Sequence, residues 1–278
     1  MSIKAEIEAR NYYKFPDDLL TLFIVEYGAD PITVDIIKQY PFKSYCVFRQ
    51  KRLGLSRNIL EGQRESFHLT DDFIFYIEDD VLLHKTYFQY MDVILNSTNL
   101  GGPFSIISSY VREEGTDPSA MFYKQHYCAL APVIFKHSWE KFMVKHANSN
   151  YYDNHAFYVV ALNEQYKKYW GETYKYQDSM HYQQAGLWNR GIDILKIDYN
   201  MDVITPVMNR QQHIGIYGEN RALGEPIPGN TFMERVDSLR EIIKDPNKMY
   251  SMAGSKCYND YCVINPILDG WDGTLYLK

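Results

Sequence analysis

The chain has 278 residues, of which 46% are hydrophobic and 23% charged, and its formal net charge is −6. This composition describes a folded globular protein with one large core and excludes a chain that attracts polyanions through its overall charge. No apolar run approaches a membrane span and residues 1–8 lack the apolar segment of a signal peptide, so we expect a cytoplasmic protein. The four cysteines have no C-x-x-C spacing and are expected to be reduced, with a bridge between Cys257 and Cys262 as the alternative.

The first half of the chain alternates segments typical of strands and of helices, which is the order of an α/β protein. Residues 1–18 are charged and predict an N-terminal helix or arm. We expect strands at residues 19–25, 44–48, 73–77 and 104–110, and helices at 33–39 and from about 55 to 66. The turn at residues 26–31 is typical of nucleotide-binding βα units, although the chain contains neither a G-x-G-x-x-G nor a P-loop pattern.

A basic segment follows the second predicted strand. Four cations lie within nine residues, next to a glycine and a helix start: Arg49, Lys51, Arg52 and Arg57. Helix N-termini and guanidinium groups both favour phosphate groups, so the segment is typical of a diphosphate site. A solvated basic loop is the simpler alternative.

Three carboxylates, Glu78, Asp79 and Asp80, follow the apolar strand at residues 73–77, which we expect to be buried on both faces. Ligands of open α/β sheets bind at the carboxyl ends of strands. Adjacent carboxylates repel each other, so a cation or strong donors must stabilise their charge; Mg²⁺ or Mn²⁺ would do so, particularly with a substrate phosphate. Strand alternation places Glu78 and Asp80 on one face and Asp79 on the other.

A structural alternative is open for the same acids. Residues 81–91 have helical spacing, so Asp79 or Asp80 would serve as the N-cap of a helix. In that interpretation the acids need no metal.

The second half of the chain continues the alternation of strands and helices. We expect strands at residues 128–135, 191–197 and 203–207 and helices at 138–146, 154–169 and 175–186. Pro132 argues for an edge position or a bend in the first of these strands. Past residue 218 the chain becomes rich in Gly and Pro before a charged helix at 232–243. We therefore expect one domain over residues 1–218, with residues 219–278 as a C-terminal appendage packed on it.

The order of these motifs resembles the GT-A glycosyltransferases, above all glycosyltransferase family 2. Four features between residues 19 and 218 carry the resemblance: Glu26-Tyr27-Gly28 after the first strand, Arg52-Leu-Gly-Leu-Ser-Arg-Asn58, Glu78-Asp79-Asp80, and Gln177-Asp178 with Gly186 downstream. The acids are similar to the family's Asp-x-Asp motif, and Gln177 stands where the family has Glu. Gln212-His-Ile-Gly215 also resembles a segment of some members.

The resemblance implies a Rossmann-like GT-A fold, with a mixed, mostly parallel sheet flanked by helices. It implies an enzyme that transfers a hexosyl group from a nucleotide-diphosphate sugar, with a UDP-sugar such as UDP-glucose expected, to an acceptor hydroxyl. Asp80 would bind Mn²⁺ or Mg²⁺, with Glu78 and His213 completing the metal site. The nucleotide sugar would be bound by Glu26, Tyr27, Arg52, Arg57 and Asp79. Asp178 would act as the general base and give an inverted product.

The acceptor implied is a glycan, a small molecule or modified DNA. The chain also resembles small viral and phage glycosyltransferases, some of which act on hydroxymethylated pyrimidines of DNA, in which case it would work in the host cytoplasm. A basic groove for DNA would then be lined by Arg210, Arg221, Lys167, Lys168 and Lys175. A non-catalytic nucleotide-sugar-binding module is the alternative of another class, although such a module would be expected to lose the acid triplet.

Overall fold

A computed structural model describes residues 2–14, 18–97, 104–111, 115–124, 131–146, 199–213 and 266–277. In chain order the elements are α1 (Ser2–Tyr13), β1 (Thr21–Val25), α2 (Pro31–Lys38), β2 (Ser44–Phe48), α3 (Leu55–Phe67), β3 (Phe73–Phe75), β4 (Val81–Leu83), α4 (Tyr87–Leu95), β5 (Phe104–Ile107), β6 (Ala120–Lys124), β7 (Val133–Phe135), α5 (Lys136–His146), β8 (Asp202–Pro206), β9 (Gln211–His213), α6 (Pro266–Asp269) and β10 (Tyr276–Leu277). The predicted α/β class is confirmed. Within the described ranges no helix has the length and apolar character needed to cross a bilayer.

The described strands form one large sheet and two small ones. Six strands pair in the order β10-β6-β8-β5-β7-β3, while β1 and β2 form a parallel pair and β4 and β9 an antiparallel ribbon. A mixed sheet was predicted and is confirmed. Its mostly parallel character is not matched in these ranges, because β7 runs against both its neighbours and β6 runs against β8. Three of the five pairings in the described large sheet are therefore antiparallel.

Helix α4 supplies much of the described core. Five of its nine residues are buried: Tyr87, Phe88, Tyr90, Met91 and Ile94. The two buried tyrosines keep their hydroxyl groups paired, Tyr87 with the Ala131 carbonyl at 3.1 Å and Tyr90 with that of Ser108 at 3.2 Å. Each fully buried large apolar side chain contributes roughly 1.5–3 kcal/mol, so this helix fixes the β4–α4 connection firmly against the sheet.

The segment after the acids differs from its prediction. Residues 81–83 are strand β4, and the helix begins only at Tyr87, with Thr86 as its N-cap residue. The hypothesis that Asp79 or Asp80 caps this helix is therefore wrong. A three-residue apolar run has no periodicity of its own, and its pairing with β9, far along the chain, decides its conformation.

The strand before the acids is also shorter than expected. It spans residues 73–75 rather than 73–77, and its residues are half-buried rather than buried on both faces. Its neighbour β7 begins immediately after Pro132 and lies between β3 and β5, so the proline marks a bend and not an edge strand. Ala131, at φ 46°, makes that bend.

Six of the other described elements follow the sequence closely. β1, α2, β2, α3, α5 and β8 form within two residues of their predicted positions, whereas the strand predicted at 104–110 ends at Ile107. The elements predicted at 154–169, 175–186, 191–197 and 232–243, and the boundary at residue 218, lie outside the described residues. Cys46 is an exposed free thiol.

The C-terminal residues 266–277 pack on the core. β10 extends the large sheet through a parallel pairing with β6, and Trp271 belongs to the buried core cluster. The Trp271 ring lies over the fully buried Arg210, whose guanidinium carbon is 4.2 Å from the ring centroid. Lys85 and Asp269 form an ion pair of 2.6 Å beside this contact. These contacts join the last described segment to the residue before β9 and to the connection that follows β4.

His84 lies at the same junction and is kept neutral by its surroundings. Its Nδ1 accepts a hydrogen bond from the Thr86 amide at 3.2 Å and lies 2.8 Å from the Thr86 hydroxyl, so the neutral ring carries its proton on Nε2. Burial and then the Arg210 guanidinium lower the pKa of His84 from 6.5 to about 4. Asp269, 3.8 Å from Nε2, opposes this shift without overcoming it.

The protein should therefore lose stability in mild acid. The pKa of His84 is 6.5 in the unfolded chain and about 4 in the folded one, so the unfolded chain binds the proton first as the pH falls. The contribution of His84 to the free energy of unfolding is complete above pH 6.5 and decreases towards pH 4, by on the order of 3 kcal/mol. When the free energy of unfolding is measured with urea at several pH values across this interval, it should change less with pH in His84→Gln than in the wild type. His68→Gln, at an exposed position, is the control and should keep the wild-type curve; a wild-type curve for His84→Gln would contradict the assignment.

Candidate functional site

The acid triplet forms a tight turn between β3 and β4. The Val81 amide donates to the Glu78 carbonyl at 3.2 Å and closes the turn. The Tyr76 hydroxyl donates to Oε1 of Glu78 at 3.0 Å, and the Ser2 hydroxyl, at the start of α1, donates to the carbonyl of Asp79. Asp79 is exposed while Glu78 and Asp80 are half-buried. Strand alternation does not apply to these acids, because they lie in a turn, but Asp79 is the most exposed of the three.

The β4–β9 ribbon brings a distant segment beside this turn. Val81 lies opposite His213 in the antiparallel register, and Leu83 lies opposite Gln211. Opposed Cα atoms of such a ladder are about 4.5–5.5 Å apart, so the backbone of residue 213 lies next to the residue that follows Asp80. The structure therefore brings two predicted parts of the site together, the acids and the Gln-His segment. The side chain of His213 is outside the described atoms.

Glu26 connects the loops that follow β1 and β2. Its Oε1 accepts hydrogen bonds from the amides of Tyr27 at 2.9 Å and Leu53 at 3.1 Å. Because β1 and β2 are parallel, their carboxyl ends meet at one edge, and this carboxylate links the two loops there. Gly28 takes a φ of 85°, which glycine adopts freely, and the neighbouring Tyr27 ring is 60% exposed. Glu26, predicted to bind the nucleotide sugar, is therefore in contact with the predicted diphosphate segment.

The cations of the basic segment differ in their surroundings. Arg49 donates to Oδ1 of Asn58 at 2.9 Å and forms an ion pair with Glu65 at 2.7 Å, which fixes the loop to α3. Arg52 is exposed and Arg57 is half-buried in the first turn of α3. The solvated-loop alternative therefore does not describe Arg49, whose role in these contacts is structural.

Helix α3 is held close to β1. A Cβ atom added to Gly62 would lie 2.9 Å from Cγ1 of Ile24, so only glycine allows this approach of helix to strand. The N-cap residue of this helix is Gly54, which has a φ of 78° and no side chain to cap the first turn. The first turn of α3 therefore has no side-chain cap from this residue, and the Leu53 amide just before it is held by Glu26.

Other predicted site residues are not brought to this edge. Arg210, expected to line a basic groove for DNA, is 0% exposed, and its guanidinium donates to the Thr86 hydroxyl at 3.1 Å. That expectation is wrong for Arg210, because a fully buried cation cannot contact a phosphate backbone. The predicted base Asp178 lies outside the described residues. So do the other predicted groove residues, which are Arg221, Lys167, Lys168 and Lys175.

The described residues do not show a complete set of ligands for the predicted metal site. Among the side chains that the structure describes, no three His, Cys, Asp or Glu residues gather into a group that would hold an ion. Oδ1 of Asp80 is buried, and Glu78 is oriented by Tyr76. The sequence contained a signal for this last contact, since residues two apart in an extended segment share a face, but none for the contact from Ser2.

Comparison with known proteins identifies no relative of this chain. No protein-family model matches this sequence, and a search of curated proteins also finds no match.

Loss of the Glu26 carboxylate should release the loop after β2. In Glu26→Ala the Leu53 amide loses its acceptor, and a hydrogen bond to a charged group contributes about 1.5–3 kcal/mol. Hydrogen exchange of a peptide that contains residues 50–54 should become about tenfold faster or more. Glu26→Gln retains an oxygen at the same place and is the matched control. Equal exchange rates in both variants would show that this hydrogen bond does not hold the loop.

Proposed function

We propose that this chain is a metal-dependent glycosyltransferase of the GT-A type, which transfers a hexosyl group from a UDP-sugar to an acceptor hydroxyl. The observation that carries the proposal is the β4–β9 ribbon, which puts residue 213 opposite Val81 and so beside the acid turn. In the sequence these residues are far apart, and only the metal-site hypothesis required them to meet. The exclusion of Asp79 and Asp80 as helix caps removes the simplest alternative.

The donor atoms of this turn fit a hard divalent ion. Carboxylate oxygens suit Mn²⁺ or Mg²⁺, an imidazole nitrogen favours Mn²⁺ of the two, and one oxygen of Asp80 is buried. Asp80 would bind the ion, with Glu78 and His213 beside it. A bound ion supplies Lewis-acid stabilisation of the departing diphosphate. Tyr76 keeps the Glu78 carboxylate in a fixed orientation for this task.

The β1–β2 edge supports a nucleotide site. A parallel strand pair followed by a helix whose first turn lies at its edge is the arrangement that binds nucleotides in Rossmann-like folds, and this favours the GT-A assignment. Tyr27 offers an exposed ring for a base, next to the carboxylate of Glu26. Arg52 and Arg57 provide positive charge for the diphosphate and Asp79 a carboxylate for a sugar hydroxyl.

The proposed chemistry needs a base for the acceptor. Asp178 would accept the hydroxyl proton as the oxygen attacks the anomeric carbon, which gives inversion. No described contact favours DNA as the acceptor, since Arg210 is buried. A binding module without catalysis would share the donor site, so turnover decides between the two classes.

Removal of Asp80 should abolish metal-dependent donor binding. Calorimetry with UDP-glucose and Mn²⁺ should give measurable binding for the wild type and none for Asp80→Ala, because an uncompensated diphosphate then faces Glu78 and Asp79. Asp35→Ala is the control: this exposed acid on α2 pairs only with a neighbouring exposed lysine among its described contacts, and its loss should leave binding unchanged. Unchanged affinity in Asp80→Ala would refute the metal site.

Replacement of the proposed base should separate binding from transfer. Asp178→Asn should bind UDP-sugar and Mn²⁺ as the wild type does, while transfer falls by about 10²–10⁴-fold, the usual contribution of general base catalysis. The measurement is release of UDP in the presence and absence of acceptor. Near-normal turnover would exclude this residue as the base, and a wild-type protein that binds donors without any hydrolysis or transfer would favour the binding module.

A further inference from the structure

Strand β9 contains two buried glutamines with incomplete hydrogen bonding. Gln211 is 4% exposed and Gln212 is 6% exposed. Within the described part of the chain, both amide atoms of Gln211 and Oε1 of Gln212 have no hydrogen-bonding partner. Folded proteins leave few such groups unpaired, because each buried unpaired group costs stability. A strand with two of them therefore needs an explanation.

The register separates the two glutamines onto opposite faces of the ribbon. Gln211 shares a face with Val81 and Leu83, which are 0% and 3% exposed and belong to the core cluster. Gln212 lies opposite Leu82, which is only half-buried. The side chain of Gln212 is therefore buried on the face of the ribbon that carries the half-buried Leu82.

The same register relates Gln212 to the acid turn. Its partner Leu82 is two residues from Asp80, and two residues of chain span at most about 7 Å in any conformation. A glutamine side chain at this position reaches the neighbourhood of the acids. Its amide is neutral, so it suits a neutral hydroxyl group, whereas the phosphates find cations at the β1–β2 edge.

We propose that Oε1 of Gln212 accepts a hydrogen bond from a hydroxyl group of the sugar that the nucleotide donor carries. This inference rests on the proposed function and assigns a sugar-selecting residue within its site. A donor sugar is bonded directly to the diphosphate, so a site for it must adjoin the acid turn. A donor that lacks the hydroxyl leaves the buried amide unpaired, and such sites discriminate strongly against the deficient ligand.

The test uses Gln212→Met, which replaces the amide by an apolar side chain of similar length. Calorimetry with Mn²⁺ should show unchanged affinity for UDP and about tenfold weaker affinity for the tightest-binding sugar among UDP-glucose, UDP-galactose and UDP-N-acetylglucosamine. The melting temperature of the ligand-free variant should be equal to or above that of the wild type, because a buried unpaired amide has been removed.

Gln63→Met is the matched control. Gln63 on α3 is 2% exposed, and neither of its amide atoms has a partner in the described ranges. It lies more than a helical turn beyond Arg57 and one turn before Phe67, which packs on Trp139 of α5. This variant should show the same direction of melting-temperature change and wild-type affinity for both UDP and the nucleotide sugar.

The outcomes distinguish failure of the Gln212 assignment from failure of the proposed function. Wild-type affinity of Gln212→Met for the nucleotide sugar, or a loss of affinity for UDP alone to the same extent, overturns the assignment of Gln212. Absence of binding of any nucleotide by the wild type overturns the proposed function and this inference together. If Gln212→Met does not fold, the wild type is compared with singly deoxygenated analogues of the same donor: about tenfold weaker binding of one analogue supports the assignment, and equal binding of all overturns it.

Discussion

The pairing of β4 with β9 is the contact on which the rest of the site depends. It joins an apolar strand directly after the acid turn to a polar strand from far along the chain. The backbone continues the pairing beyond the ribbon, since the His84 amide donates to the Arg210 carbonyl at 2.9 Å. Without this ladder the acids would belong to an ordinary surface turn, and residues 211–213 would have no fixed relation to them.

Arg210 explains why the ribbon is held in place. Desolvation of a charged group is costly unless hydrogen bonds and polarizable neighbours compensate for it. The described neighbours come from separate parts of the chain: the Thr86 hydroxyl, the Pro118 carbonyl and the rings of Tyr90 and Trp271. The cation therefore ties β9 to the start of α4 and to the C-terminal segment. That segment is part of the support of the site, because Trp271 covers the guanidinium on one side.

The sequence predicts the local elements well and the long-range ones poorly. Helix α2 is predicted at residues 33–39 but begins two residues earlier, because Asp30 accepts the Ile32 amide at 2.8 Å and Pro31 has the φ that the first helical position requires. Strand β2 was predicted at its observed bounds, since turns limit it on both sides. Residues 81–83 were assigned to the wrong element because a short apolar run fits either, and its partner strand cannot be identified from neighbouring residues. The approach of Glu26 to Leu53 was implied only by the order of the motifs.

The burial of residues 209–212 is the feature that local sequence rules contradict most strongly. All four are polar, and none is more than 7% exposed, although such a run is typical of a surface loop. Asn209 accepts the Val111 amide at 2.6 Å and Arg210 has the neighbours described above, so these two stabilise the fold. Within the described ranges both amide atoms of Gln211 and Oε1 of Gln212 receive no such compensation. Features that break folding rules without stabilising the fold are expected at functional sites. The unpaired glutamines are such a feature, and they adjoin the acid turn. The cost of leaving Gln212 incompletely paired is then understandable as selectivity, because only a ligand with a hydroxyl group in the right place removes it.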